Sequence, residues 1–206
     1  MARLVLVISK SGTGKSSSLR NFKKGEATVV LSNGKELPFR TDISTVVPKS
    51  YGEVIEVVNK SAAPVVVIDD ANYLMSFEEM QRATEIGYTK FTQMAQNMYK
   101  LLKAVIDKES DQIFYIFAHP AETEDGHLQF KTTGKMLSDK IVVEGLTNIL
   151  LTNDVTADGE FVFKVKTDGS GVKSPLGMFD TDVVPNDLKL VDQRIREYYA
   201  PIKESK

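Results

Sequence analysis

The residues best suited to chemistry lie between positions 9 and 17. Ser9-Lys10-Ser11-Gly12-Thr13-Gly14-Lys15-Ser16-Ser17 sets two glycines, a lysine and several hydroxyls in one short run. Small residues let successive backbone N–H groups turn inward around phosphate oxygens, and Gly12 and Gly14 supply that freedom. Ser11, Thr13 and Ser17 extend the cradle, Lys15 reaches the β- and γ-phosphates, and Ser16 offers its hydroxyl to Mg2+. A full P-loop pattern begins with glycine where this chain has Ser9, so the turn into the loop is expected to differ. The competing explanation is a chance Gly-Lys-Ser at the start of a helix. Gly12, a buried strand before the run and a helix after it all weigh against chance.

Three further residues join this loop. Asp69 closes the apolar run Val65-Val66-Val67-Ile68, and a carboxylate at such a strand end can hold the hydration shell of Mg2+ beside a phosphate loop. Asp70 either orients the attacking water or caps the next helix. His119 ends another apolar strand, where it either senses the γ-phosphate or simply caps the strand before Pro120. Lys131, Lys135 and Lys140 surround Thr132-Thr133-Gly134. They are candidates for contacting phosphate on a neighbouring subunit or a nucleic-acid backbone, with a solvated basic loop as the alternative. Lys164, Lys166 and Lys173 form a weaker basic group, and His127 falls in an exposed turn.

The elements that must position these groups follow from hydrophobic periodicity. Residues 4–8, 27–31, 65–68 and 113–117 are short apolar runs suited to buried strands. Asn33-Gly34 predicts a tight hairpin with a returning strand over 36–39, then irregular chain from Pro38 to Pro48. A short helix is expected over 16–22, and another where Tyr51, Val54, Ile55 and Val58 recur at helical spacing. From Phe77 to about Lys108 the pattern is helical in two pieces, broken near Gly87. Its stripe of Phe91, Met94, Met98, Leu101, Leu102 and Val105 reads as core packing. A polar turn over 122–126 precedes a short strand over 128–130. Residues 148–151 and 161–165 flank Asp158-Gly159 as an antiparallel hairpin. The last helix starts near Asn186 or Asp187, with Leu188, Val191, Ile195 and Tyr198 inward. Strands alternating with helices predict one α/β domain over 1–206: a mostly parallel central sheet flanked by helices, with antiparallel strands added near the C-terminus.

Composition narrows the function classes. The 206 residues contain no Cys and two His, which excludes thiolate metal sites and a Cys nucleophile and leaves little for a His-based zinc site. A net charge of −2 argues against a generally basic nucleic-acid coat and leaves room for a local basic strip. No apolar run is long enough to span a bilayer, and Met1-Ala2-Arg3 leads straight into a strand without a signal-peptide layout. A cytoplasmic protein is expected.

Taken together, the phosphate loop, residues 65–70, residues 114–119 and the 131–140 segment stand in the order seen in small phage ATPases with a RecA-like core, and the chain resembles that group. Pro38-Phe39-Arg40, Gly87-Tyr88-Thr89-Lys90-Phe91, Gly134-Lys135-Met136, Lys173-Ser174-Pro175-Leu176-Gly177-Met178-Phe179 and Pro185-Asn186-Asp187-Leu188 add to the likeness, which runs from about Leu4 to Tyr199. The resemblance implies a RecA-like P-loop NTPase that binds ATP and Mg2+, engages single-stranded DNA and helps to anneal complementary strands. A single-stranded DNA-binding protein is an implied partner. It also implies a homo-oligomer with ATP between subunits, so that Lys131 and Lys135 would complete a neighbour's site. Glu36 is the weak candidate for a recombinase's catalytic glutamate.

Two other readings use the same loop. A nucleoside or nucleotide kinase needs an arginine-bearing lid, and the chain has six arginines with no lid-like group. A nucleotide-binding assembly scaffold with little hydrolysis is the other.

Overall fold

A computed structural model describes residues 1–121, 123 and 126–201. In chain order the elements are β1 (Arg3–Ile8), β2 (Ala27–Leu31), β3 (Ser44–Val46), α1 (Tyr51–Lys60), β4 (Val65–Asp69), α2 (Asn72–Gln81), α3 (Thr89–Ile106) and β5 (Ile113–Ala118). There follow the short β6 (Pro120–Ala121) and β7 (Gln129–Phe130), α4 (Lys135–Ser138), β8 (Leu150–Val155), β9 (Phe161–Lys164), β10 (Val183–Pro185) and α5 (Leu188–Tyr199). Most of the polar turn expected over 122–126 lies outside the described residues.

Eight strands form one sheet in the order β10-β9-β8-β1-β5-β4-β2-β3. From β8 to β3 every neighbouring pair is parallel, while β9 and β10 join as antiparallel strands. The expected class is therefore present: a mixed α/β fold with a large, mostly parallel central sheet between helices. Burial on both faces explains the continuous apolar runs. In β1, Leu4, Leu6 and Ile8 face the layer of α1, α2 and α3, while Val5 and Val7 face Leu188, Val191 and Ile195 of α5. The methionine stripe is core, since Met94, Met98, Leu101, Leu102 and Val105 are all buried.

Several expectations need correction. Asn33-Gly34 turns the chain, with the Gly34 N–H donating to Leu31 O, but residues 36–39 do not return as a strand. Asn33 keeps a negative φ, so the tight hairpin geometry is absent, and Pro38 would have broken the ladder. Leu37 and Phe39 instead pack against the core on the α5 side, and the stretch expected to be irregular contains β3, parallel to β2. The helix expected over 16–22 shrinks to a 3-10 turn over Ser16–Leu19. Three consecutive serines favour local bonds over helix, and Ser18 Oγ donates to Lys15 O. The helical stretch expected from Phe77 begins earlier, at Asn72. Asp187 caps α5 by accepting from Lys189 N, as the chemistry of that position suggests. Tyr198 faces outward, not inward, and its hydroxyl donates to Leu176 O.

Candidate functional site

Because β8, β1, β5, β4 and β2 run parallel, the chain leaves all of them on one edge of the sheet. That edge gathers the loop after β1, His119 after β5, Asp69 and Asp70 at the end of β4, and Asn33 after β2. The antiparallel β9 begins at the same edge, with Phe161 opposite Val155 of β8. Ligands of open α/β sheets bind at such carboxyl ends.

The loop is bent as phosphate binding requires. Gly12 and Gly14 have φ of +79° and +95°, and Lys15 between Gly14 and the 3-10 turn has −45°. Positive and negative φ in succession turn neighbouring N–H groups toward a common centre, an anion-binding nest. Gly14 is also required by space. A Cβ there would lie 2.8 Å from Asn186 Nδ2 and 2.9 Å from Phe161 Cδ1. Thr13 Oγ1 donates to Lys10 O at 2.9 Å and closes the turn from behind. Ser9, standing where the pattern has glycine, proves to be an anchor. It keeps a negative φ, its Oγ donates to Asn153 Oδ1 at 3.0 Å, and it accepts from Asn153 N at 2.7 Å. Asn153 Nδ2 in turn donates to Asn186 Oδ1 at 2.7 Å, and Asn186 Nδ2 donates to Gly14 O at 3.0 Å. The C-terminal third of the chain thus grips both ends of the loop.

Lys15 is buried, and its Nζ donates to Ser9 O at 2.9 Å and Lys10 O at 3.1 Å. An ammonium has three donors, and the third faces Asp70, whose Oδ1 lies 3.9 Å away. Burial lowers the Lys15 pKa against the raising effect of Asp70 and Asp69. Ser16 Oγ donates to Asp69 Oδ2 at 2.8 Å, whereas Asp69 Oδ1 is buried with no hydrogen-bond partner among the described residues. Burial first, then the neighbouring Asp70 charge, push the Asp69 carboxyl up to about 6.

Asp70 has a different environment. It is the one non-glycine among the described residues with positive φ, +52°, a conformation that side chains reach at a cost. Asn33 Nδ2 donates to its Oδ2 at 2.9 Å. Its Oδ1 stands 3.2 Å from His119 Nε2 and makes no aligned hydrogen bond. Burial alone would raise the Asp70 carboxyl, but His119, Lys15 and Lys35 together hold it below its ordinary value. No side chain caps α2, so Asp70 does not act as a helix cap.

The donor set of Ser16 and Asp69 fits Mg2+. The ion binds through one or two carboxylates and completes its shell from phosphate and water, and the unpaired Asp69 Oδ1 is an oxygen available to that shell. Among the described residues no cluster of three or more acidic or His side chains could hold a metal unaided.

Ser11, Gly12, Gly14, Lys15, Ser16 and Ser17 line one cleft of about 210 Å³ together with Asn33, Asp69, Asp70, His119 and Phe161, whereas Thr13, bonded back to Lys10, does not line it. Glu36 also lines it. Lys131, Lys135 and Lys140 do not; they are exposed, although Lys131 N donates to His119 O at 3.2 Å. Lys164 and Lys166 are occupied by Asp154 and Asp182. Asn33 was read only as part of a turn and Phe161 only as the start of a strand, and Asn153 was not marked by any sequence pattern. Neither was Asn72, whose side chain accepts from His119 N and donates to Lys131 O. No protein-family model matches the chain, and no curated protein matches it.

Proposed function

We propose that this chain is a Mg2+-dependent ATPase with a RecA-like core that acts on single-stranded DNA in phage recombination or replication, annealing complementary strands. The reading is carried by one observation. A glycine nest, a buried lysine and a Ser16–Asp69 pair with a spare carboxylate oxygen converge on the same strand edge.

Each residue then has a task. The N–H groups of the loop hold phosphate oxygens, and Lys15 shifts from the carbonyls of Ser9 and Lys10 onto the β- and γ-phosphates. Ser16 and Asp69 hold Mg2+, which when bound neutralises the same phosphates. Asp70, kept ionised and fixed through Oδ2 by Asn33, directs Oδ1 toward a water beside the γ-phosphate. His119 senses that end of the nucleotide and passes its position on to Lys131 through the backbone, with Asn72 fixing both segments. The exposed Lys131, Lys135 and Lys140 then contact DNA phosphates.

The kinase reading lacks its apparatus, since no arginine among the described residues lines the cleft. ATP hydrolysis measured with and without single-stranded DNA, with the particle mass determined in each state, separates the remaining two. DNA raises turnover and assembly under the annealing reading. ATP-driven assembly indifferent to DNA makes the chain a scaffold instead. Lys15→Ala loses turnover by about 100-fold or more, and unchanged hydrolysis by a folded Lys15→Ala protein removes the nucleotide site itself.

A further inference from the structure

Phe161 opens β9 and is 43% exposed, an apolar ring left at the rim of a polar cleft. It is firmly held. Its strand pairs with β8 at Val155, and its carbonyl accepts from Asn186 N at 3.2 Å. Part of the ring rests on Gly14, as the near contact of a Cβ built there shows. The remainder faces the cleft and solvent.

Sheet order gives the cleft a direction. Starting from β1 and its loop, β4 with Asp69 and Asp70 is the second strand on one side, and β9 with Phe161 is the second strand on the other. A triphosphate seated on the loop places its terminal phosphate near Lys15, Ser16 and the two acids. Its α-phosphate and nucleoside therefore run toward the opposite flank. The cleft volume of about 210 Å³ falls below the roughly 300–1,000 Å³ that encloses a whole drug-sized ligand. It suits the phosphate tail and leaves the base on the rim.

We propose that Phe161 is the platform on which the nucleobase of the bound nucleoside triphosphate stacks. The inference rests on the nucleotide reading of the cleft and adds the residue that holds the base. An aromatic face meets the flat face of a purine or pyrimidine; the backbone bonds of Phe161 fix its place in the strand, and the contact with Gly14 holds one edge of the ring beforehand.

The test compares Mg·ATP with Mg·tripolyphosphate, which has the tail without a base, by calorimetry on wild-type, Phe161→Leu and Phe161→Trp proteins. Phe161→Leu weakens ATP roughly tenfold and leaves tripolyphosphate within about twofold. The chain contains no tryptophan, so Phe161→Trp introduces a single tryptophan at the stacking position, whose emission can be excited apart from that of the tyrosines. ATP quenches it and tripolyphosphate does not, a readout that survives even if the leucine variant fails to fold. Equal losses for both ligands in Phe161→Leu, undiminished ATP affinity, or identical tryptophan responses to both ligands overturn the platform while leaving the phosphate site standing. A wild-type protein that binds neither ligand overturns both.

Discussion

At the scale of single residues, the two adjacent carboxylates are separated by environment more than by chemistry. Asp70 has cations and an amide around it, whereas Asp69 is 7% exposed and leaves one oxygen unpaired. An acid raised from 3.8 to about 6 in the folded chain favours its neutral form. Its contribution to stability is therefore complete below pH 3.8 and is lost as pH rises through about 6. Asp69→Asn removes that cost, so above pH 6 the variant melts several degrees higher than wild type. The gain, about 3 kcal/mol at most, shrinks toward pH 4. On the ATPase reading, the same substitution should lower Mg2+-dependent hydrolysis by about 100-fold or more. Thermal melts across that pH range check the first half, and a lower melting point at pH 7.5 would show the carboxylate to be a structural anion. On the ATPase reading, wild-type turnover should likewise fall as pH drops through about 6. Added Mg2+ moves the fall to lower pH, because metal and proton compete for the same oxygens; a pH profile indifferent to Mg2+ concentration would remove Asp69 from the metal site.

At the scale of elements, the phosphate loop depends on partners far along the chain. Ser9 and Asn153 are 144 positions apart, and Asn186 reaches Gly14 across 172. Restoring the pattern's glycine with Ser9→Gly is therefore harmful here. It leaves Asn153 N and Oδ1 without their buried partner, a cost of about 1–3 kcal/mol, and frees the start of the loop. Denaturant titration should show that loss together with weaker ATP binding, whereas a neutral result would make the Ser9–Asn153 contact ornamental. The same distances explain which features were legible beforehand. Strands buried on both faces announce themselves as local apolar runs, so β1, β4 and β5 could be read directly, and Gly12, Gly14, Lys15, Asp69 and His119 follow from their positions at the ends of those runs. The site roles of Asn33, Asn72, Asn153 and Phe161 carry no local pattern, because each acts through a neighbour that only the sheet order supplies. The Asn33-Gly34 dipeptide misled for the same reason. Its local preference for a hairpin lost to packing of Leu37 and Phe39 and to the bond from Asn33 to Asp70.

At the scale of the whole molecule, the question is how a chain with net charge −2 would engage DNA. Sequence-independent affinity for a polyanion comes from local phosphate contacts and released counterions, so the total charge matters less than where unpaired cations lie. Lys164 and Lys166 are spent on Asp154 and Asp182, while Lys131, Lys135 and Lys140 form no ion pair with any described residue. This segment is also joined to the site, since Lys131 N is bonded to His119 O and Asn72 bonds both stretches of chain. Replacing the three lysines together by alanine should therefore weaken single-stranded DNA binding most at low salt. Each lost contact flattens the plot of log affinity against log salt by about 0.7, about 2 for all three, and the stimulation of hydrolysis by DNA disappears with it. Binding measured at several salt concentrations gives the slope directly. A slope equal to that of wild type removes the lysines from the DNA path. Collapse of turnover without DNA, restored by mixing with Lys15→Ala protein, would instead place them in a neighbouring subunit's phosphate site, because only a residue acting across subunits can be supplied by a chain that is itself unable to turn over ATP.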